Sequence, residues 1–242
     1  MIISLMNTIR INKYLAEHGY ASRREADKLI KAGLVFLNGK RANLGDQVTE
    51  KDEVVLKNQK QKTKANLVYL VFHKPVGMIT TTDLSKRDNV TSFINYPERI
   101  FPIGRLDVIS SGLLLLTNDG ELANRLMHPK YEHEKEYLVE VEESLKGIDL
   151  KKMEQGIKID EKKTAPSKAI KLTDHQFRLT LTEGRNRQIR RMCEALGYTV
   201  TSLKRIRILN IHLKNLQEGK WRKLTSQELR TLKYQLGISK EK

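Results

Sequence analysis

The stretch Ile100-Phe101-Pro102-Ile103-Gly104-Arg105-Leu106-Asp107, with Leu113-Leu114-Leu115-Leu116 shortly after it, sets one acidic residue between two apolar runs. Continuous apolar runs of this kind predict buried strands. A carboxylate among apolar residues needs a compensating partner, and in proteins that partner is usually a cation. The later stretch Arg185-Asn186-Arg187-Gln188-Ile189-Arg190-Arg191 is dense in arginine and supplies candidates. Together the stretches favour chemistry on a polyanion over attachment to one alone.

The composition favours an anionic partner. The chain has 242 residues, with 45 Lys and Arg against 29 Asp and Glu, so its formal net charge is +16. Such an excess makes nucleic acid the first candidate partner and an anionic membrane the second. Because no apolar stretch approaches the ~20 residues of a membrane span, a transmembrane protein is not expected. Aromatic residues make up 6 % of the chain, which argues against a broad base-stacking platform.

The opening of the chain and its cysteine content indicate a cytoplasmic protein. The stretch Met1-Ile2-Ile3-Ser4-Leu5-Met6 lacks a basic leader and is too short for a secretory signal. The single cysteine, Cys193, cannot form a disulfide within the chain. A reducing compartment is therefore the simplest setting, and we expect the cytoplasm.

The first part of the chain predicts a small domain of two helices followed by a β unit. Ile11 to His18 shows helical spacing, and Ser22 with Glu25 three residues later fits a capping box at the start of a second helix. Val35-Phe36-Leu37-Asn38-Gly39-Lys40-Arg41 predicts two strands joined by an Asn-Gly turn. The lysine-rich residues 57–66 have almost no apolar content and predict an extended linker.

The rest of the chain predicts an α+β domain around a largely antiparallel sheet. Leu67 to Phe72 is a continuous apolar run, while Tyr137 to Val141 and Phe177 to Leu181 alternate as strands do. Glu121 to Met127 and Gln188 to Leu196 show helical spacing. Because strands dominate and helices are scattered among them, we expect a mixed sheet flanked by helices. The predicted boundaries are residues 1–56 for the first domain, 57–66 for the linker and 67–242 for the second domain.

Basic residues crowd the first domain and permit three interpretations. The simplest is a solvated helical face, which is the usual place for charged runs. Arg23 and Arg24, however, fall in the first turn of a predicted helix, where the dipole disfavours cations and favours phosphate. RNA contact is therefore preferred, and a helix-turn-helix that reads DNA is less attractive because a hairpin directly follows the second helix. The candidate RNA contacts are Arg10, Lys13, Arg23, Arg24, Lys40 and Arg41.

Single residues of the second domain also have ordinary structural explanations. Asp107 taken alone would most often be a turn carboxylate that accepts hydrogen bonds from nearby amides. Arg190 alone would be a surface arginine, and Tyr137 a strand aromatic packed in the core. From residue 185 to residue 207, however, seven basic residues face one acid, Glu194, which favours a phosphate-binding groove. Zinc-hydrolase, thiolate-cluster and nucleotide-loop motifs are missing from the sequence, so neither a metal nor an organic cofactor is expected.

Five short motifs stand in an order that resembles one known family. They are Lys74-Pro75-x-Gly77, Gly104-Arg105-Leu106-Asp107, Glu134-Lys135-x-Tyr137, Glu183-Gly184-x-Asn186 with its arginine-rich continuation, and Leu203-x-Arg205-x-Arg207. Each motif is weak alone, but in this order they resemble the bacterial ribosomal RNA pseudouridine synthases of the RsuA/RluB/RluE/RluF branch. The resemblance covers nearly the whole chain and is strongest to the RluF type. The first domain resembles the alpha-L RNA-binding module of that branch.

The resemblance implies a reaction and roles for particular residues. Asp107 would be the catalytic carboxylate, which either attacks the sugar or removes a ribose proton, and Arg190 would keep it ionised. Tyr137 would stack on the target uracil and serve in removing its C5 proton. Arg105 would fill the space left by a flipped base, and Leu203 would form an apolar wall of the pocket. The other substrate contacts implied are Arg187, Arg191 and Arg205.

The resemblance also implies a substrate and a fold. The protein would have a pseudouridine synthase fold and isomerise a uridine of large-subunit ribosomal RNA, with transfer RNA as a further candidate, as a monomer without a cofactor. Two other functions stay open. A non-catalytic RNA-binding protein of the ribosome explains the charge and the first domain, but not the order of the later motifs. A DNA-binding regulator explains only the basicity.

Overall fold

A computed structural model describes residues 8–49, 51–59, 65–83 and 85–238. The chain divides into two compact units, one up to residue 67 and one from residue 68. Of the predicted linker, residues 60–64 lie outside the described residues, as does the opening stretch Met1 to Met6 that was expected to lack a signal sequence. Over the parts of the chain that are described, no helix has the length and apolar character that crossing a membrane requires.

The first unit packs two helices against short strands around its own core. Its elements in chain order are β1 (Ile9–Arg10), α1 (Ile11–Glu17), α2 (Arg23–Lys31), β2 (Val35–Leu37), β3 (Lys40–Arg41), β4 (Gln47–Val48) and β5 (Val54–Leu56). The Ser22 hydroxyl accepts a hydrogen bond from the Glu25 backbone N–H, so α2 begins at the predicted cap. Asn38 and Gly39 both have positive φ, as the predicted tight turn between β2 and β3 requires.

In the described residues the second unit has a main sheet of nine strands and a separate hairpin of two. The strands of this unit are β6 (Tyr69–Lys74), β7 (Phe101–Ile103), β8 (Ser111–Thr117), β9 (Lys135–Val141), β10 (Lys158–Ile159), β11 (Lys162–Lys163), β12 (Lys168–Lys171), β13 (Gln176–Leu181), β14 (Val200–Ile208), β15 (Ile211–His212) and β16 (Trp221–Lys223). Its helices are α3 (Val90–Ile94), α4 (Gly120–Met127), α5 (Gly147–Gln155), α6 (Gln188–Glu194) and α7 (Ser226–Gln235), with a 3-10 helix over Pro129–Tyr131. Strands β10 and β11 pair separately as a hairpin.

The order of the main sheet is β12-β13-β9-β14-β8-β6-β16, with β7 beside β8 and β15 beside β14. Within the described residues β14 and β8 are the one parallel pair of this sheet, and the other pairs are antiparallel. The predicted α+β fold with a largely antiparallel mixed sheet is therefore confirmed.

The leucine run of β8 is buried on both faces of the sheet. Leu113 and Leu115 belong to a core formed with α4 and α7, whereas Leu114 and Leu116 belong to a core formed with α3. Side chains alternate between faces along a strand, so a continuous apolar run is what a strand covered on both sides requires. A third core lies between α5, α6 and strands β9, β13 and β14.

Gly112 allows the close approach of β8 and β14. Its φ of +109° is a conformation that side-chain-bearing residues rarely adopt, and a Cβ atom there would overlap the Arg205 backbone. Gly112 pairs with Arg205 in the parallel register. This contact therefore joins the half of the sheet that carries β6 and β8 to the half that carries β9 and β14.

We expect Gly112→Ala to destabilise the second unit by about 2–4 kcal/mol, because backbone strain and overpacking each contribute about 1–3 kcal/mol. Gly184→Ala is the matched control, since a Cβ atom there meets open space. Urea unfolding followed by the emission of Trp221, the single tryptophan of the chain, reports the change in this unit. Equal unfolding midpoints for the two variants would contradict the close approach.

Candidate active site

Residues 105–110, which we call the Asp107 loop, connect β7 to β8, and each of their backbone carbonyls accepts a hydrogen bond. Two of these bonds are made near the centre of the loop. The Thr80 hydroxyl donates to the Leu106 carbonyl at 2.9 Å and accepts from the Leu106 N–H at 3.3 Å. The Ser110 N–H donates to the Asp107 carbonyl at 3.1 Å. These contacts fix the turn on which the Asp107 side chain is mounted.

Lys74, at the end of β6, binds the second half of the loop from inside the protein. Its side chain is fully buried, and Nζ donates to the carbonyls of Ser110 and Pro75, each at 2.8 Å, and to that of Val108 at 3.5 Å. The Gly77 N–H also donates to the Val108 carbonyl at 2.8 Å. The motif Lys74-Pro75-x-Gly77 therefore does more than form the predicted turn, because its first and last residues hold the Asp107 loop.

Arg190, on α6, binds the loop from a second direction. Its guanidinium donates to the carbonyls of Ile109 and Val200, each at 2.9 Å. Burial lowers the pKa of Arg190, Arg187 lowers it further, and the Asp107 carboxylate partly offsets this, which places the carboxylate within electrostatic reach. Among the described residues, however, Asp107 takes part in no ion pair. The guanidinium is bound to one carbonyl of the loop, that of Ile109, and to the Val200 carbonyl of β14, so its partnership with Asp107 stays a prediction.

Arg205, on β14, binds the start of the loop from a third direction. Only 3 % of the residue is exposed, and its guanidinium donates to the carbonyls of Leu113 at 2.7 Å and Arg105 at 3.3 Å. The guanidinium of Arg205 is thus bound to backbone carbonyls below the surface, and its predicted role as a substrate contact stays a prediction. The Arg191 guanidinium forms an ion pair with Asp160, and its substrate contact likewise stays a prediction.

An open cavity of about 250 Å³ lies beside the Asp107 loop. Its lining residues are Ile79, Thr80, Arg105, Leu106, Asp107, Val108, Ile109 and Arg187. Asp107 is half-buried, whereas Arg105 and Arg187 are exposed. The cavity therefore brings together two arginines and one carboxylate, the three residues to which the resemblance gave roles at the substrate.

Tyr137 lies between two cores, and Leu203 belongs to one of them. Tyr137 packs against the core that contains Leu203 and also against the core that contains Leu106. Tyr137 pairs with Arg205 across β9 and β14, and directly opposed residues of an antiparallel pair point to the same face. Neither Tyr137 nor Leu203 lines the cavity, and of the two it is Tyr137 that packs against the core containing Leu106 of the Asp107 loop.

The predicted RNA contacts of the first unit are mostly on its surface. Lys13 is half-buried and forms an ion pair with Glu17 at 3.6 Å. Within the described residues no ion pair involves any of the other five predicted contacts, and all five are exposed. These five are Arg10, Arg23, Arg24, Lys40 and Arg41. The cations of this surface are free to meet phosphates.

Sequence reasoning missed Lys74 and Thr80 as residues of the site. A signal existed for Lys74, because it ends an apolar strand run in which a charged side chain is unexpected. Thr80 gave no such signal, since a threonine after a turn is common. In the described part of the chain, no group of three or more potential metal-ligating side chains is found.

We expect the stability difference between the wild type and Lys74→Met to depend on pH. Burial lowers the pKa of Lys74 to about 8, against the ordinary lysine value of 10.5, although Asp107 opposes this. Between these values the unfolded chain binds more protons than the folded chain, so the wild type gains stability relative to the variant as pH rises through this window. Urea unfolding followed by Trp221 emission measures the difference. Lys223→Met, at an exposed lysine, should show no such trend, and a pH-independent gap for Lys74→Met would contradict the burial of a charged lysine.

Comparison with known proteins assigns families to both units. The protein-family model for RNA pseudouridylate synthase matches residues 68–195, and the family model for the S4 domain matches residues 9–54. The dual-specificity RNA pseudouridine synthase RluF of Escherichia coli strain K12 is 46 % identical over 225 residues, which cover 92 % of this chain and 78 % of that protein. The ribosomal large subunit pseudouridine synthase B of Bacillus subtilis strain 168 is 46 % identical over 237 residues, which cover 93 % and 95 %.

A solved structure agrees with these matches over both units. A crystal structure of a pseudouridylate synthase aligns with a TM-score of 0.70 and 32 % identity, and it covers 93 % of this chain and 99 % of its own. The five motifs found in the sequence therefore occur in a chain whose fold and sequence both match pseudouridine synthases. The chain belongs to the RNA pseudouridylate synthase family, in the branch that carries an S4 domain ahead of the catalytic domain.

Proposed function

We propose that this protein converts one uridine of large-subunit ribosomal RNA to pseudouridine, with the Asp107 carboxylate as its catalytic group and without a cofactor. The observation that carries the proposal is the Asp107 loop, whose carbonyls are all bound and whose carboxylate borders an open cavity with Arg105 and Arg187. The large-subunit substrate rests on the name of the Bacillus subtilis relative, a ribosomal large subunit pseudouridine synthase that this chain matches over 95 % of its length.

The reaction is an isomerisation in which nothing is consumed. The bond between N1 of uracil and C1′ of ribose breaks, the base rotates, and C5 bonds to C1′. The proton on C5 then leaves, and N1 gains one. Asp107 either attacks C1′ or removes a ribose proton, and both routes need an ionised carboxylate with at least one free oxygen. The absence of an Asp107 ion pair among the described residues leaves its oxygens available for this role.

The target nucleotide must leave its stack to reach Asp107, because C1′ and C5 are inaccessible inside a helix. Arg105 and Arg187 both line the cavity and are both exposed. Arg105 would fill the vacated space, and Arg187 would suit a phosphate of the everted nucleotide. Tyr137 and Leu203, in the packed wall behind, would meet the uracil ring once a base enters.

The first unit supports the same proposal. It matches the S4 domain, and its exposed arginines and lysines fit attachment to an RNA backbone. A transfer RNA is the second candidate substrate, since the Escherichia coli relative is named as dual-specificity. A monomer acting in the cytoplasm suits a partner as large as a ribosomal subunit. A non-catalytic RNA-binding protein leaves the bound Asp107 loop and its cavity without a use.

We expect purified protein to form pseudouridine in unmodified large-subunit ribosomal RNA, and Asp107→Asn to lower the rate by about 10⁴-fold. RNA affinity should be kept in the variant, because attachment comes from cationic groups elsewhere. Carbodiimide labelling followed by primer extension detects the product, which has the mass of uridine. Asp174→Asn, at an exposed acid in a surface turn, is the control and should keep full activity. A fully active Asp107→Asn protein would reject the catalytic assignment, and unmodified transfer RNA in a parallel reaction tests the second substrate.

We expect Arg190 and Arg187 to separate rate from binding. Arg190→Ala removes the donor to the Ile109 carbonyl and lets the Asp107 loop shift, so we expect a loss of about 10²-fold in kcat with little change in Kd. Arg187→Gln should instead raise Kd and reduce the salt slope by about 0.7, the value for one phosphate contact on a single strand. Single-turnover rates and filter binding at several salt concentrations measure both. Parallel losses of rate and affinity in Arg190→Ala would contradict its positioning role.

A further inference from the structure

Aromatic side chains gather at one edge of the second unit. Trp221, in β16, is 41 % exposed, and Phe93, in α3, is 54 % exposed. Tyr96 lies against Trp221, with ring centroids 5.4 Å apart and planes inclined by 74°. Within the described residues β16 is the outermost strand on this side of the sheet. None of these rings lines the cavity beside the Asp107 loop, so their exposure is not explained by the proposed reaction.

The geometry of the Tyr96 and Trp221 pair leaves ring surface free. In an edge-to-face pair the edge of one ring covers one face of the other, so neither ring has both faces covered by its partner. Large exposed aromatic faces are uncommon without a role, and this chain has few aromatic residues to spare, with 14 of 242 by the count of 5 Phe, 8 Tyr and 1 Trp. A flat, sequence-tolerant ligand such as a nucleobase is what such faces bind.

A groove of about 400 Å³ lies beside Tyr96 and contains Arg99. Its lining residues are Thr91, Ser92, Asn95, Tyr96, Pro97, Glu98, Arg99 and Ile100. Burial lowers the pKa of Arg99, and no carboxylate offsets that effect. Among the described residues the Arg99 guanidinium has neither an ion pair nor a hydrogen bond. A half-buried guanidinium that no carboxylate of the described residues neutralises favours an anion such as phosphate.

We propose that this edge, formed by Phe93, Tyr96, Arg99, Trp221 and Lys223 and called the edge patch, binds a second, unpaired nucleotide of the RNA substrate outside the isomerisation cavity. The inference rests on the proposed function, which makes RNA the partner of this unit. One base stacks on the exposed Trp221 ring beside Tyr96, and an adjacent phosphate meets Arg99. The combination of a cation with exposed aromatic faces is the common means of holding single-stranded nucleic acid.

Charge and polarity favour RNA over a protein as the occupant. The groove is lined mainly by hydroxyl, amide and charged groups, whereas the centre of a protein interface is depleted in charge and more apolar. Lys223 is two residues from Trp221 on the same strand and therefore lies on the same face. Glu98 is the acid of the groove, and a carboxylate there accepts from the amino group of a cytosine or adenine. The whole chain carries a net charge of +16, which draws a polyanion towards it.

Trp221 makes the edge patch directly observable, because it is the single tryptophan of the chain. A short uridine-free oligocytidylate cannot undergo the isomerisation and is therefore the probe. Titrated into the full-length protein, it should quench Trp221 emission and shield Trp221 from acrylamide. Anisotropy of a dye on the oligonucleotide measures occupancy independently. The Asp107→Asn protein should bind oligocytidylate as the wild type does. Loss of isomerase activity and loss of oligonucleotide binding at the edge patch can therefore be distinguished.

Substitutions separate the edge patch from general electrostatic binding. Tyr96→Ala and Arg99→Gln should each weaken oligocytidylate binding by about fivefold or more, which corresponds to about 1 kcal/mol for a stacked base. Lys223→Gln is a third, milder variant on the exposed strand, and Tyr234→Ala, at an exposed tyrosine of α7, is the control that should bind as the wild type does. With ribosomal RNA, Arg99→Gln should raise KM and leave kcat unchanged. Unaltered Trp221 emission at saturation, wild-type affinity in all three variants, or no binding of the oligonucleotide would each overturn the proposal.

Discussion

The backbone carbonyls of the Asp107 loop depend on donors that come from distant parts of the chain. Lys74, Arg190 and Arg205 each donate to a carbonyl within residues 105–110. Lys74 and Arg205 are 131 positions apart, by 205 − 74, so the loop acquires its shape only when β6, α6 and β14 have come together. A buried carbonyl without a donor and a buried cation without an acceptor are both unfavourable, and each satisfies the other here.

This arrangement explains how Asp107 is surrounded by cations and still has free oxygens. The guanidinium and ammonium groups are bound to main-chain carbonyls and not to the carboxylate. Burial lowers the pKa of both Lys74 and Arg190, and the Asp107 charge partly offsets that lowering. Their field attracts an anion to this position without occupying it. For the proposed contact of Asp107 with a ribose such support is an advantage, because a direct ion pair would compete with the substrate. Three of the five motifs, those that contain Lys74, Arg190 and Arg205, therefore supply donors to the loop that carries Asp107.

The fold was predictable from local patterns because they are set by short-range physics. The leucine run of β8 predicted burial on both faces, and Ser22 and the Asn38-Gly39 turn predicted their cap and hairpin. The resemblance brought Asp107, Arg105 and Arg187 together, and the cavity holds all three. The fate of Arg205 was not predictable, since composition suggests an exposed phosphate contact for any arginine in a basic stretch. Only the parallel pairing of β14 with β8, a contact between distant residues, buries its guanidinium.

A crystal structure of the protein with its ribosomal RNA target tests the central claim most directly. If the Asp107 loop is a support fixed before substrate arrives, residues 105–110 should superimpose on their free positions within about 1 Å, which is usual for preformed sites. An Asp107 carboxylate oxygen should then contact the ribose of a nucleotide turned out of its stack. A loop that rearranges on binding, with the Lys74 and Arg190 bonds to its carbonyls broken, would contradict the account.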